Sequence, residues 1–113
     1  MQSFEISNLQ SEIERSGTRW REFLRVLALS AGLYCLPAGG EDRQQPHTED
    51  EIYYVIRGRA RFRAGSEERE VTPGSVLFVP ARAEHRFHSI SEDLVALVVF
   101  GPAEGTGADG ENA

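Results

Sequence analysis

Residues 39–58 read GGEDRQQPHTEDEIYYVIRG and residues 74–89 read GSVLFVPARAEHRFHS. Between them the two stretches hold all 3 histidines of the chain, His47, His85 and His88. Gln45, His47 and Glu51 share parity, so in an extended chain their side chains point to one face. Glu51 opens a run whose same-face neighbours, Tyr53 and Val55, are bulky and apolar, and His85 opens a second run with Phe87 on its own face. Bringing the two runs together gathers two imidazoles, a carboxylate and an amide in aromatic surroundings. Two imidazoles and a carboxylate suit non-haem Fe(II), and also Zn, Mn or Ni. An amide oxygen is a weaker donor, so such a set leaves coordination positions open, as a catalytic metal requires.

The flanking sequence is that of a β-protein. Runs at 20–26, 31–36, 51–57, 59–64, 69–72, 75–79, 85–90 and 94–100 are short, rich in Val, Ile, Phe and Tyr, and separated by Gly or Pro. Such spacing predicts an all-β barrel or sandwich. One hairpin is explicit: Arg61 and Arg63, a Gly65-Ser66 turn, then Glu67, Glu68 and Glu70 returning. That pattern predicts a solvated strand face neutralised across the ladder. Ile52–Ile56 and Leu94–Phe100 lack polar alternation and read as strands covered on both sides. A single barrel covers only the inner face, so a homodimer is expected, with the outer face of one sheet against a second copy.

Residues 6–16 (ISNLQSEIERS) read as a helix, with Ser7 as N-cap, Gln10 three places on, and Gly17 just past the end. The last residues, from 102 to 113, are small and acidic and read as a disordered tail. The chain therefore divides into an N-terminal helical segment (1–19), a barrel (20–101) and that tail.

Composition narrows the function classes. At 113 residues with 40% apolar and 27% charged residues, the chain reads as one globular domain. Its formal charge of −6 argues against nucleic acid or an anionic membrane as partner. Cys35 is the only cysteine, so no internal disulfide can form, and it reads as a small core residue. No charged-then-apolar leader is visible, which makes a cytoplasmic location the expectation.

The two quoted stretches resemble the paired motifs of the cupin superfamily, in its small single-domain form. Gly39, His47, Glu51 and Gly58 match the first motif; Gly74, Pro80 and His85 match the second. Three positions depart from it: Gln45 stands for the usual first histidine, Arg82 for a glycine and Ser89 for an asparagine. The latter two affect turn geometry. A Gln-x-His, Glu and distant His is similar to the zinc set of the cupin-type phosphomannose isomerases, in the ligands alone.

The resemblance implies a double-stranded β-helix, or jelly-roll barrel, holding one divalent metal ion (Fe, Zn, Mn or Ni) on Gln45, His47, Glu51 and His85. The count of six residues to Gly58 selects Glu51; Glu49, of the same parity, is the alternative. Tyr34, Tyr53 and Phe87 are expected to line a pocket for a small polar molecule, and His88 to lie on the opposite face from His85. The implied function is a metal-dependent enzyme of oxygenase or isomerase/lyase type. The alternative is a non-catalytic cupin that binds a metal and a small ligand as sensor or store.

Overall fold

The structure, a computed structural model, describes residues 1–107. Among the described residues its elements are helix α1 (Ile6–Ser16) and strands β1 (Trp20–Arg25), β2 (Ser30–Leu36), β3 (Asp50–Ala64), β4 (Glu67–Val71), β5 (Val76–Val79) and β6 (His85–Gly101). The strands pair antiparallel in the order β1-β2-β6-β3-β4, with β5 on the N-terminal half of β3. Among the described residues no helix is long and apolar enough to cross a membrane.

Two expected breaks are absent. The runs on either side of Gly58 form the single strand β3, and those around Ser91 form the single strand β6. The two long strands pair from Asp50↔Gly101 to Ala64↔His85, with register shifts between Val55 and Arg61. Bulges of this kind bend a ladder without ending it. Gly58 sits within the bend at φ 100°, and a Cβ there would lie 2.6 Å from the Leu94 Cα and closer still to the Asp93 carbonyl oxygen. The motif glycine is thus both a left-handed residue and a point of backbone contact.

Folding the ribbon over gives the double-stranded β-helix, with alternate residues of β3 turned inward. Tyr53, Val55, Ala60 and Phe62 pack with Val71, Val79, Phe87, Leu94, Val98 and Phe100 in the core. Outside, Leu9 and Ile13 of α1 cover Leu33 and Val95, with Cys35 partly buried beside them. The helix therefore covers part of the apolar outer sheet that the β6 pattern announces. Its N-cap is Glu5, with no side-chain cap bond, rather than Ser7; Gly17 does close it, in left-handed conformation.

On the hairpin the register sets Arg61 against Glu70 and Arg63 against Glu68, but the ion pairs run diagonally, Arg59–Glu70 at 2.9 Å and Arg61–Glu68 at 3.2 Å. All four side chains are about half exposed, so each pair contributes at most about 1 kcal/mol. Arg82 and Ser89, the two departures at motif turns, hold φ of 69° and 51°. Both are left-handed, Arg82 in the turn before β6 and Ser89 within β6, at about 1–2 kcal/mol each relative to glycine.

Gly58→Ala forces a Cβ against backbone that cannot rotate away. It is expected to lower unfolding free energy by at least about 3 kcal/mol in urea titration. A loss below about 1 kcal/mol would show that the bend does not depend on this glycine.

Candidate metal centre

Three elements deliver the polar groups of the barrel interior. Glu51 is the second residue of β3, paired with Phe100 and Val79, and its side chain points inward, leaving the residue 2% exposed. His85 is the first residue of β6 and is also buried. His47 comes from the loop before β3, with its ring edge-on to Phe100 at 4.7 Å and its carbonyl accepting the Arg82 N–H at 2.6 Å. One ligand atom from each of His47, Glu51 and His85 lies within 4.8 Å of the others.

Hydrogen-bond accounting shows what these atoms face. His85 Nδ1 lies 2.8 Å from the Ala83 carbonyl oxygen, an acceptor in hydrogen-bond geometry, which favours the tautomer with the proton on Nδ1. In a neutral ring Nε2 is then a bare lone pair. It lies 3.0 Å from Glu51 Oε1; with no proton between them, both Glu51 oxygens lack a hydrogen-bond partner. His47 is flanked by two acceptors, Glu104 Oε2 at 3.3 Å from Nδ1 and Gln44 Oε1 at 3.1 Å from Nε2. The carboxylate is the stronger acceptor; with the proton of a neutral ring on Nδ1, Nε2 is bare.

Gln44 is oriented in turn. Its amide nitrogen donates to Asp42 Oδ2 at 2.8 Å, which turns Oε1 towards His47 and lets it accept from the Tyr53 hydroxyl at 3.0 Å. The Tyr53 oxygen is also 3.1 Å from His85 Nε2. Lone pairs of two imidazoles, a carboxylate and an amide thus converge with one hydroxyl among them. A buried carboxylate without a donor costs several kcal/mol, and a divalent cation is the partner that satisfies all four donors together. The residues fit a metal ion.

Gln45, expected in this set, is exposed and borders an outer groove with Glu41, Arg43 and Arg86; Gln44 takes the inward place. Strand alternation begins only at Asp50, and the Gln44 N–H turns onto Asp42 Oδ1 at 3.3 Å, so parity does not extend back through the loop. Glu49, the alternative to Glu51, is buried elsewhere, accepting from Thr48 Oγ1 and from Gly107 N at 2.8 Å. His88 lies on the outer face and pairs with Glu68.

A cavity of about 160 Å³ opens over the centre. Trp20, Tyr34, Tyr53 and Phe100 form its aromatic wall, with Gln44 and Glu104 among its polar groups. Phe87 does not reach it: that ring lies beneath Tyr53, edge to face at 5.0 Å. Trp20 reaches the wall across Gly32, where any Cβ would overlap the indole. Tyr34 donates to Asp42 Oδ1 at 2.6 Å; burial, then that bond, raises its phenol far above the ordinary range. Burial does the same to Tyr53, with the Glu51 charge adding to it. Both hydroxyls hold their protons.

Asp42, Gln44, Trp20 and Glu104 escape the sequence reading. Glu104 falls in the segment expected to be a disordered tail. In the structure residues 102–107 pack on the barrel, with Ala103 1% exposed. The remainder of that expected tail, 108–113, lies outside the described residues.

With this geometry in place, the family can be stated. Residues 32–100 match the model of the cupin domain, and the chain belongs to that family. An uncharacterized protein of Streptomyces coelicolor is 46% identical over 104 residues, covering 92% of this chain and 99% of its own. Among solved structures, TT1209 from Thermus thermophilus superposes with a TM-score of 0.71 at 23% identity, over 91% of this chain and 99% of that one. The DMSP lyase DddQ from Ruegeria pomeroyi gives 0.66 at 24% identity over 75% of this chain. The chain spans about half of that lyase, 48% of its length.

His85 couples the centre to pH. Burial lowers its affinity for a proton, but the Glu51 carboxylate and the Ala83 carbonyl outweigh that and raise it above the ordinary value. When the ring of the metal-free protein takes up a second proton, that proton sits on Nε2 and joins it to Glu51. The stability this adds is full below about pH 6.5 and is lost as pH rises through the higher folded value. Thermal melts of metal-free protein between about pH 6 and pH 9 are expected to fall across that window, and Glu51→Gln to flatten the fall. Equal slopes in the two proteins would refute the coupling.

Proposed function

We propose that the chain binds one divalent metal ion through His47, Glu51 and His85, with Gln44 as the weaker fourth donor. We read it as an enzyme of isomerase or lyase type acting on a small polar molecule. The observation that carries this is the fully buried Glu51 carboxylate, without a hydrogen-bond donor, facing the bare nitrogen of His85. A bound divalent ion supplies Lewis acidity to a carbonyl or enolate oxygen of the substrate.

The chain's own residues supply the rest. A cavity of about 160 Å³ takes a molecule of roughly benzene size. The Trp20, Tyr34 and Phe100 wall excludes water beside the centre. Tyr53, held between Gln44 and His85 with its proton retained, is placed to donate a hydrogen bond or a proton to a substrate oxygen. Proton transfer by a positioned group contributes typically about 10²–10⁴-fold. A placed proton donor favours isomerase or lyase chemistry, and the structural likeness to a DMSP lyase accords with that class. Two imidazoles and a carboxylate also suit Fe(II), which supports an oxygenase as the second reading.

Elemental analysis of protein purified without added metal is expected to give one metal ion per chain, abolished in Glu51→Gln. Tyr53→Phe is expected to keep the metal but lose about 10²-fold or more of solvent-deuterium exchange into small carbonyl compounds, followed by NMR. Substrate-dependent oxygen uptake with bound iron would transfer the assignment to the oxygenase. Bound metal without any turnover would leave a binding protein, and a folded protein that takes up no metal would overturn the reading.

We further infer that the chain is a homodimer. Ile52 pairs with Phe78, and Tyr54 with Val76, across the β3–β5 ladder; all four side chains face outward, 44–63% exposed. Helix α1 shields Leu33 and Val95 but leaves this patch bare, and contiguous apolar patches of this kind mark interaction sites. Sedimentation velocity is expected to give twice the 12.6 kDa chain mass, reverting to one mass in Phe78→Glu. A wild-type monomer at micromolar concentration would exclude this interface.

A further inference from the structure

The segment that follows β6 returns over the mouth of the barrel and is fastened on both sides of Glu104. The Glu104 N–H donates to Ser30 Oγ at 2.8 Å, and Ser30 is itself 1% exposed. Ala103, also buried, accepts from Thr106 Oγ1 at 2.6 Å. The Gly107 N–H donates to the buried Glu49 carboxylate at 2.8 Å. Held in this way, the Glu104 side chain reaches the cavity wall and brings Oε2 to 3.3 Å from His47 Nδ1.

The two imidazoles of the centre are then supported from behind in parallel fashion. His85 Nδ1 faces the Ala83 carbonyl, a neighbour in sequence. His47 Nδ1 faces a carboxylate 57 residues away, beyond residue 100, where the match to the cupin domain ends. The other His47 nitrogen, Nε2, has an acceptor as well, Gln44 Oε1 at 3.1 Å. A neutral ring carries one proton for these two acceptors. If it sits on Nε2, bonded to Gln44, that nitrogen has no lone pair for a cation and Gln44 Oε1 is engaged too. If it sits on Nδ1, Nε2 keeps its lone pair and Gln44 Oε1 keeps the one not taken by the Tyr53 hydroxyl.

We propose that Glu104 is a positioning residue of the metal centre: its carboxylate holds the His47 proton on Nδ1 and so keeps Nε2 and Gln44 Oε1 available to the ion. Carboxylates behind ligating histidines act in this way generally, and their loss typically costs about 10- to 100-fold in metal affinity. The inference rests on the metal-binding reading above, but its first consequence, the tautomer of His47, is read without any metal.

The test uses the full chain and its Glu104→Ala and Glu104→Gln variants. In metal-free protein, two-bond ¹H–¹⁵N NMR of the imidazoles is expected to show His47 protonated on Nδ1 in wild type and on Nε2 in Glu104→Ala. Zinc affinity, by competition with a chromophoric chelator, is expected to fall about 10- to 100-fold in Glu104→Ala. Glu104→Gln, whose amide oxygen accepts the same proton, is expected to recover most of that loss, which a merely structural role would not predict. Glu104→Ala that binds zinc as tightly as wild type, with His47 still protonated on Nδ1, overturns this inference while the metal reading stands. Wild type that takes up no zinc overturns the metal reading and this inference with it.

Discussion

The centre exists because one long antiparallel ribbon folds over on itself. His85 pairs with Ala64, thirteen residues along β3 from Glu51. On a flat sheet that separation is about 43 Å, yet His85 Nε2 lies 3.0 Å from Glu51 Oε1. The bend is concentrated between Val55 and Arg61, where the β3–β6 register shifts and where Gly58 lets the two backbones touch. Every contact among the interior polar groups follows from that fold-over, since neither end of the ribbon carries a complete donor set.

Closure also sets the electrostatics. The same turn that brings Glu51 to His85 encloses both with Tyr53, Phe62, Phe87 and Phe100. Burying each of those rings contributes about 1.5–3 kcal/mol, while a buried carboxylate without a donor costs several. The aromatic core thus outweighs the polar defect it surrounds, and the barrel folds with Glu51 unsatisfied. Local violations of this kind are expected where a site serves something other than stability.

What was legible in the sequence, and what was not, divides along the same physical line. Helix α1, the β-rich runs and the family can be read because their signals are local: apolar period, turn residues and motif spacing. Spacing also picked out His47, Glu51 and His85, whose ligand atoms the fold gathers. Parity failed at Gln45 because alternation holds only inside a strand, and the stretch before β3 is a loop whose path Asp42 controls. The breaks expected at Gly58 and around Ser91 were bends, since a glycine in a ladder marks a bulge as readily as an end. Glu104 carried no signal at all: its small, acidic neighbours have the composition of a tail, and what fixes it is bonding to Ser30, distant in sequence. Phe87 was assigned to the right face but lies one layer too deep, a distinction that depends on Tyr53 standing above it.

Comparing the three buried carboxylates among the described residues separates architecture from site. Asp42 accepts from Tyr34 Oη, Gln44 Nε2 and Phe87 N, tying the loop before β3 to β2 and β6. Glu49 accepts from Thr48 Oγ1 and Gly107 N, anchoring the segment that returns over the mouth. Each is as deeply buried as Glu51, and each has the donors that burial demands. Had the barrel needed only a satisfied acid at position 51, it had the means to provide one, since it does so twice within the nine residues before it. Glu51 alone of the three meets lone pairs instead. Asp42 and Glu49 hold in place the residues around that centre, Gln44 through the first and the Glu104 segment through the second. The two saturated carboxylates thus serve to orient the groups around the unsaturated one.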